Sequence, residues 1–538
     1  MAAATQMPQT MPRTLVELMG GRVAAAPDAA YFHLYDEAVT YSDLWRESAR
    51  YAAGLRRAGI DRGDKVCLIY PTCKEFFFTF FGALRLGAVP VPLYPTLGVE
   101  ATANVFRDSE AKAVVTIGWF RKGVEESQAA ASNIRHVLEP QDLEVDLPAP
   151  AFPTPVETDT AFIQYTSGST GSPRGVVLSH ANVTKTVTFM AEAARLTPQD
   201  IVVSWLPLYH DMGLIGCAFT PASMGAELWL LPPDLKNPRV WLELVTKVRA
   251  TFTVSPDFGF RNCVRNIGDT SGIDLSSLGQ ALSGAEPVRH STIAAFEKKF
   301  GVHNLITPCY GLAEATLAVA IWPRKTPLRQ DSSGRFLSVG RPCTGVSVQI
   351  MDEAGPVAAG VEAEICVKSP GVMQGYYNNA EATRRVISPD GWLRTGDLGF
   401  LDSEGYLFVT GRLKDLIIMG GENVVPVDVE EIVDHVPGVR YSAAVGIESE
   451  RTGSQRLYVV AEVREGAEDT GALSGLVREI VQRVHHGRGH RPARVLLVKP
   501  GTIPKTSSGK IQRSRLGQMI AGNELGDRLV YTSGAHRE

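Results

Sequence analysis

The chain has 538 residues, 44% of them hydrophobic and 21% charged, which is ordinary globular composition at a length that favours two or more domains. A formal net charge of -4 excludes any chain-wide electrostatic case for nucleic acid or an anionic membrane surface. The seven cysteines contain no Cys-x-x-Cys pair, and an odd, scattered set fits a reducing cytoplasm better than a disulfide framework.

The N-terminal MAAATQMPQTMPRTL has no apolar signal core. Residues 41–60 place apolar side chains at helical spacing, and KVCLIY at 65–70 is a short apolar run of strand type. The most apolar stretch, FFFTFFGALRLGAVPVPLYP at 76–95, is interrupted by Arg85, Gly87, Pro90 and Pro92. A membrane span needs about 20 mostly apolar residues, so this stretch predicts a buried helix followed by a buried strand. AKAVVTIGW at 111–119 is a further strand. Strands alternating with helices predict an α/β architecture with a largely parallel sheet.

Residues 139–160 are rich in proline and acids and read as a surface connection. Alternation resumes at AFIQY. A second boundary is expected near Gly411–Asp415, dividing residues 1–411 from 412–538. Beyond it GVRYSAAVGI, RLYVVAEV and ARVLLV read as strands of a small α+β domain, and the polar tail after about Leu525 is expected to be loose.

The strongest local signal is Tyr165-Thr166-Ser167-Gly168-Ser169-Thr170-Gly171-Ser172-Pro173-Arg174-Gly175. Taken alone, such a stretch reads as a flexible linker. Here it lies between the apolar strands AFIQY and GVVLSH. Its glycines let backbone N–H groups approach an anion, its hydroxyls donate, and Arg174 adds a permanent positive charge. It lacks the Gly-Lys-Ser/Thr ending of the usual nucleotide loop.

This stretch, together with SWLPLYHDMGLIG (204–216), SPDFGFRNCVRNI (255–267), SGAEPVR (283–289), YGLAEATL (310–317) and PKTSSGKIQR (504–513), resembles the adenylate-forming superfamily. That superfamily comprises acyl-CoA synthetases, luciferases and peptide-synthetase adenylation domains, and the chain looks most like fatty acyl-AMP ligases within it. The resemblance runs over roughly residues 14–518. It implies a large N-terminal domain of α/β subdomains carrying the AMP and acyl sites, plus a small mobile α+β C-terminal domain, with ATP and the acid at the junction.

The resemblance also assigns roles. Thr166, Ser167, Gly168, Ser169, Thr170, Gly171 and Arg174 would hold phosphates. Gly284, Ala285 and Glu286 resemble the adenine-binding strand end, and Tyr310 with Gly311 the ring-stacking position. Asp397 and Arg412 match the ribose-binding pair, which can accept from and donate to its hydroxyls. Glu314 resembles the magnesium ligand, with Thr166 beside it, since a hard cation prefers oxygen and bridges phosphates. Lys510 resembles the catalytic lysine of the mobile domain, where a cation stabilises charge passing to pyrophosphate; Lys505 is its neighbour and competitor. Lys414 falls at the hinge. His210 matches an aromatic position beside the substrate carboxylate, and no general base is needed there because a carboxylate is already ionised at neutral pH. Met212, Gly213, Leu214, Ile215, Phe258 and Phe260 are expected to line an apolar pocket.

The implied reaction joins a carboxylate to AMP with release of pyrophosphate, using ATP and Mg2+, and then passes the acyl group to a thiol. The expected substrate is a fatty or other aliphatic acid, and the expected acceptor is the phosphopantetheine of a separate acyl carrier protein. CoA, or an aryl or amino acid substrate, is the alternative. A ligand-binding pseudoenzyme would lack Lys510, Glu314 or Asp397, and all three are present. Three departures stand out: Arg174 replaces a common lysine, the connection from YGLAEATL to VGRP (339–342) is short for acyl-AMP ligases, and Gly420-Gly421-Glu422-Asn423 looks like CoA ligases.

Overall fold

The structure is a computed structural model. It describes residues 11–131, 133–145, 152, 154–166, 173–234, 236–419, 422–449, 454–464, 470–505 and 510–533. The most apolar stretch forms the helix Lys74–Leu86, capped by Gly87 in the left-handed region at φ 79°, and then the strand Val89–Pro92. Its rings build one packed aromatic centre: Phe77 lies 4.6 Å from Phe32 and 5.5 Å from Tyr31, and Phe80 reaches Phe162 and Phe219. Arg85 is accommodated because its guanidinium lies 4.0 Å over the Trp45 ring and donates to Ser48 Oγ at 3.1 Å. Among the described residues, no helix is long and apolar enough to cross a membrane.

Four strands around Lys65–Ile69 form a parallel sheet of their own. A 13-stranded sheet carries the site. Half of it is parallel, in the spatial order Ala30–Leu34, Glu227–Leu230, Ile201–Ser204, Phe252–Ser255, Gln280–Ser283, Ile306–Leu312. Phe252–Ser255 and Gln280–Ser283 are buried at every position, as expected of parallel strands covered on both faces. The sheet then turns antiparallel through Leu317–Ile321, Ser338–Pro342, Leu407–Arg412 and Leu393–Leu401. In open α/β sheets ligands gather beyond the carboxyl ends of parallel strands. The segments carrying His210, Gly284 and Tyr310 leave from those ends.

The mixed α/β class and the large and small domains follow the sequence expectation. The main apolar core stops at Leu407, and separate clusters begin at Ile417. The small part has a four-stranded sheet, Val439–Glu448, Gln455–Val463, Arg494–Val498 and Leu529–Thr532. That last strand corrects the reading of a loose tail. Leu529–Thr532 pairs antiparallel with Arg494–Val498, and Leu529 packs against a cluster containing Leu496 and Val498. Four residues were too short a pattern to stand out beside polar neighbours. The proline-rich connection also contains a helical turn, Pro140–Leu143, where Leu143 is fully buried.

Phe77→Ala is expected to lower unfolding stability by about 3–5 kcal/mol, the usual cost of emptying a buried aromatic site. A denaturant titration of the variant measures it.

Candidate active site

A cavity of about 1120 Å³ opens at the carboxyl ends of the parallel strands. Its polar end is walled by Thr166, Arg174, His210, Asp211, Ala285, Tyr310, Gly311, Glu314, Gly396, Arg412, Lys414 and Lys510. These come from segments nearly 350 residues apart, on both the large and the small part of the chain.

Each is held in place by a local reason. Thr166 and Arg174 are paired across two antiparallel strands, Thr160–Thr166 and Arg174–Ser179, of a three-stranded sheet completed by Gly375–Tyr376. Ser167, Gly168, Ser169, Thr170 and Gly171, which come between them in sequence, lie outside the described residues, as do Gly420 and Gly421. Arg174 lies 5.3 Å over the Tyr376 ring, and the Tyr376 hydroxyl donates to Glu314 Oε1 at 2.8 Å. Gln164 Nε2 donates to the Tyr209 carbonyl at 2.8 Å, tying the His210 loop to the same unit.

The turn after Gln280–Ser283 is tight. A Cβ on Gly284 would lie 2.6 Å from Cys309 Sγ, and Ala285 adopts φ 67°. A non-glycine residue in the left-handed region stores strain, which clusters at ligand sites. Gly311 has even less room, because a Cβ there would overlap the Leu317 carbonyl. Tyr310 donates its hydroxyl to Asp397 Oδ2 at 2.7 Å, and Arg412 Nε donates to Asp397 Oδ1 at 2.6 Å. Burial and the Asp397 carboxylate push the Tyr310 phenol well above its ordinary value, so it remains the donor. Asp397 faces Arg412 directly across two antiparallel strands. Asp397 is 3% exposed and stands behind the wall that Tyr310 and Arg412 present to the cavity.

Lys510 precedes Ile511, which bridges to Lys505, and Gln512 N donates to the Pro504 carbonyl at 2.9 Å. Three residues on, Arg513 anchors the segment to both Glu430 oxygens at 2.8 Å and to Asp415 at 3.1 Å. Burial and the nearby Arg412 guanidinium lower the Lys510 ammonium pKa, partly offset by Asp211, Asp397 and Glu314. Burial alone would raise the Asp211 carboxyl, but His210, Lys510 and the Met212 amide together hold it below its ordinary value. Lys505 does not reach the cavity wall; its ammonium sits 3.3 Å from the Tyr441 ring centre.

The small part is clasped to the large one away from the cavity. Asp434 accepts from Arg289 at 2.8 Å and Arg261 at 3.3 Å, and Arg335 pairs with Asp428.

Several expected site residues stand elsewhere. Glu286 Oε1 accepts from the Phe258 amide at 2.6 Å and is absent from the cavity wall. Phe258 packs edge-on against Trp205 with ring centres 6.0 Å apart, and Gly213 lies against the Pro207 carbonyl. Leu214, Ile215 and Phe260 are plain core, at 0%, 0% and 1% exposure. Met212 does line the cavity. The apolar end is instead built by Met190, Leu196, Gly216, Phe252, Val254, Leu317 and Ile321. No sequence signal separated these from core residues of the same types. Asp211 and Tyr376 were also missed: Asp211 was hidden beside His210, and Tyr376 carries no local motif.

Mg2+ fits this wall in one respect. Glu314 presents a carboxylate with one oxygen held by Tyr376, and Thr166 offers a hydroxyl on the same wall. Among the described residues no group of three or more His, Cys, Asp or Glu side chains could hold a metal alone. That suits a cation bound by one or two protein groups and completed by phosphates and water.

Two α/β bodies thus close on a cavity that is cationic and hydroxyl-bearing at one end and apolar at the other, the form of an enzyme that brings a phosphate compound to an amphipathic acid. The chain belongs to the AMP-binding enzyme family, whose model matches residues 21–377, with the AMP-binding enzyme C-terminal domain matching 428–510. It is an adenylate-forming ligase. It is 34% identical to the long-chain-fatty-acid–AMP ligase FadD26 of Mycobacterium marinum, over 89% of this chain and 91% of that one. It is 32% identical to the medium-chain-fatty-acid–acyl-carrier-protein ligase JamA of Moorena producens, over 88% of each. A solved structure from a study of fatty acyl-adenylate ligases of E. coli and L. pneumophila superposes with TM-score 0.85 at 30% identity, over 95% of this chain and 98% of that one.

Burial and the Asp257 carboxylate push the Glu286 carboxyl up to about 7. A raised acid holds its proton longer in the folded state, so its contribution to stability falls as pH rises from the ordinary carboxylate value to about 7. Glu286→Gln is therefore expected to gain melting temperature relative to the parent at pH 8 and to gain little at pH 4.5. Equal gains at both pH values would mean that the carboxyl is not the titrating group.

Proposed function

We propose that this ligase activates a fatty acid with ATP and Mg2+ to an acyl-adenylate, releasing pyrophosphate, and then passes the acyl group to the phosphopantetheine thiol of a separate acyl carrier protein. The single observation carrying this reading is that Lys510, Arg412 and Arg174 wall one end of a cavity whose other end is apolar. Three cations on one wall suit a triphosphate, and an aliphatic chain suits the other end.

The chemistry follows from charge. A carboxylate oxygen attacks the α-phosphorus, the bond to the pyrophosphate oxygen breaks, and pyrophosphate leaves with that electron pair. Nucleophile and electrophile are both anionic, so catalysis is positioning plus neutralisation. Lys510 bridges the reacting oxygens as negative charge moves toward the leaving group. Arg174 and the hydroxyls of Ser167, Ser169 and Thr170 hold the outer phosphates. Glu314 and Thr166 would hold Mg2+, which supplies Lewis-acid neutralisation of the phosphates when bound. Tyr310 lies against the adenine, and Arg412, set by Asp397, donates to the ribose. His210, paired with Asp211 at 2.7 Å, orients the acid at the border between the polar and apolar ends. The product is a mixed anhydride that water would destroy, so closure by the small part protects it.

Thioester formation then needs Lys510 withdrawn and a thiol admitted. Lys414 is exposed between the two cores and is the hinge in this reading. The similarity to JamA, an acyl-carrier-protein ligase, supports a carrier protein as acceptor. Glu422 in the Gly-Gly-Glu-Asn stretch favours CoA as a second reading.

Lys510→Ala is expected to slow acid-dependent pyrophosphate release by about 10²–10³-fold, the range for removing one preorganised charge donor. Near-normal release would remove the lysine from the mechanism. Because its pKa is lowered, the parent rate falls on the alkaline side below the ordinary lysine range, and Lys510→Arg moves that limb upward. For the acceptor, acyl-adenylate presented with equal thiol concentrations of carrier protein and CoA should load the carrier faster. Mass spectrometry showing CoA ahead would reverse the assignment.

A further inference from the structure

The cavity reaches solvent where its lining residues are exposed. Among the described residues these fall on three stretches, 385–394, 413–414 and 514–518. Four of them are cations, Arg385, Arg394, Lys414 and Arg515, and none is an acid. The acids that line the cavity, Asp211, Glu314, Glu364 and Asp415, are all partly or wholly buried. A cleft edged by one sign of charge concentrates ions of the other sign at its entrance.

The rim is built from both parts of the chain. Arg385 stands on the helix Ala380–Val386, whose Asn379 cap accepts from the Ala382 amide at 2.9 Å. Thr383 on that helix accepts from the Tyr376 amide at 2.9 Å, and Tyr376 is the ring under Arg174. This side of the rim is therefore tied to the phosphate wall. Ile387 bridges to Leu393, which brings Arg394 alongside the helix. The small part supplies the helix Arg513–Ala521, which begins three residues after Lys510. Its Leu516 is buried in the small part's core, while Ser514, Arg515 and Gln518, which share a helix face, line the cavity.

Two of these cations are held loosely. Arg385 pairs with Glu381 at 2.5 Å and Arg515 with Glu524 at 2.8 Å, and all four side chains are about half exposed or more. Exposed pairs of this kind are weak, so a multiply charged anion can take either guanidinium without stranding a buried acid. Arg394 differs. Its partner Glu364 is buried and also accepts from the Gly396 amide at 2.9 Å, which fixes that cation in place.

We propose that this rim is an outer polyphosphate site, separate from the wall where the chemistry occurs, which gathers the triphosphate of ATP and holds pyrophosphate as it leaves. The inference rests on the reading of the reaction as adenylation with release of pyrophosphate. Arg394 gives the site a fixed charge, and Arg385 and Arg515 exchange their surface carboxylates for phosphate oxygens. Because that exchange trades one exposed ion pair for another, the site loads and empties readily.

The test uses inorganic pyrophosphate. Calorimetry measures its binding to the enzyme, and exchange of labelled pyrophosphate into ATP, driven by octanoate or hexadecanoate, measures its KM. Arg385→Glu combined with Arg515→Glu should weaken pyrophosphate by about tenfold in both measurements. The melting temperature should stay at the parent value, since both side chains are on the surface. The parent kcat/KM for ATP should fall as salt rises, and that of the reversed variant should fall less steeply. Arg385→Lys combined with Arg515→Lys keeps the charge and should retain most of the parent affinity, which separates charge from structural disturbance. A reversed variant that binds pyrophosphate as the parent does, with the same salt slope, overturns the proposal. One that slows only the loading of a carrier protein also overturns it, and assigns the rim to an acidic protein face. A parent whose pyrophosphate affinity drops on charge reversal, but which shows no exchange with any acid, overturns the adenylation reading and leaves the rim site standing.

Discussion

A buried carboxylate organises this molecule. Asp397 is 3% exposed, and an unpaired charge there would cost several kcal/mol. Its oxygens are taken by Arg412 at 2.6 Å and Tyr310 at 2.7 Å. That arrangement joins the last parallel strand of the large sheet to two antiparallel ones. It also sets Arg412 two residues before Lys414 and presents its guanidinium to the cavity. Asp397 raises the Arg412 pKa, so the cation persists at any physiological pH. The same pair that joins these strands therefore supplies a fixed positive charge on the cavity wall.

Around that point the cavity separates two kinds of work. The large part provides a polar wall and the apolar lining of the cavity, carried on strands that belong to the main core. The small part brings one more cation, Lys510, beside the bridged residue Ile511 and three residues before Arg513, which is tethered to Glu430. The clasp of Asp434 by Arg261 and Arg289 lies outside the cavity. The contacts that hold the small part to the large one and the cations that face the cavity are thus different residues.

Much of this was legible in the linear pattern. The helix Lys74–Leu86, the strand Lys65–Ile69 and the strands after Ile417 all follow from apolar runs broken by glycine and proline. The site segments were legible as motifs because glycine, hydroxyl and charged residues recur there in a fixed order. What failed were judgements about which way a side chain points. Glu286 looked like a ligand-facing acid and caps the amide of Phe258. Phe258 looked like acyl lining and packs on Trp205. The strand Leu529–Thr532 was invisible because four residues carry too little periodicity, and only its pairing with Arg494–Val498 makes it a strand.

By itself, then, the sequence determined the element types and the order of the chemistry-bearing segments, since those depend on local backbone preference and residue type, and the family resemblance of those segments implied adenylation chemistry. Only the tertiary structure decided that Lys510 and not Lys505 meets the cavity, that Asp397 stands behind Arg412, and that Gly216 and Phe252 line the cavity while Ile215 and Phe260 face the core. The physical reason is that a core position and a cavity wall select the same apolar residues. The difference between them is whether a partner from a segment far away in the chain fills the space opposite, and that is a property of packing alone.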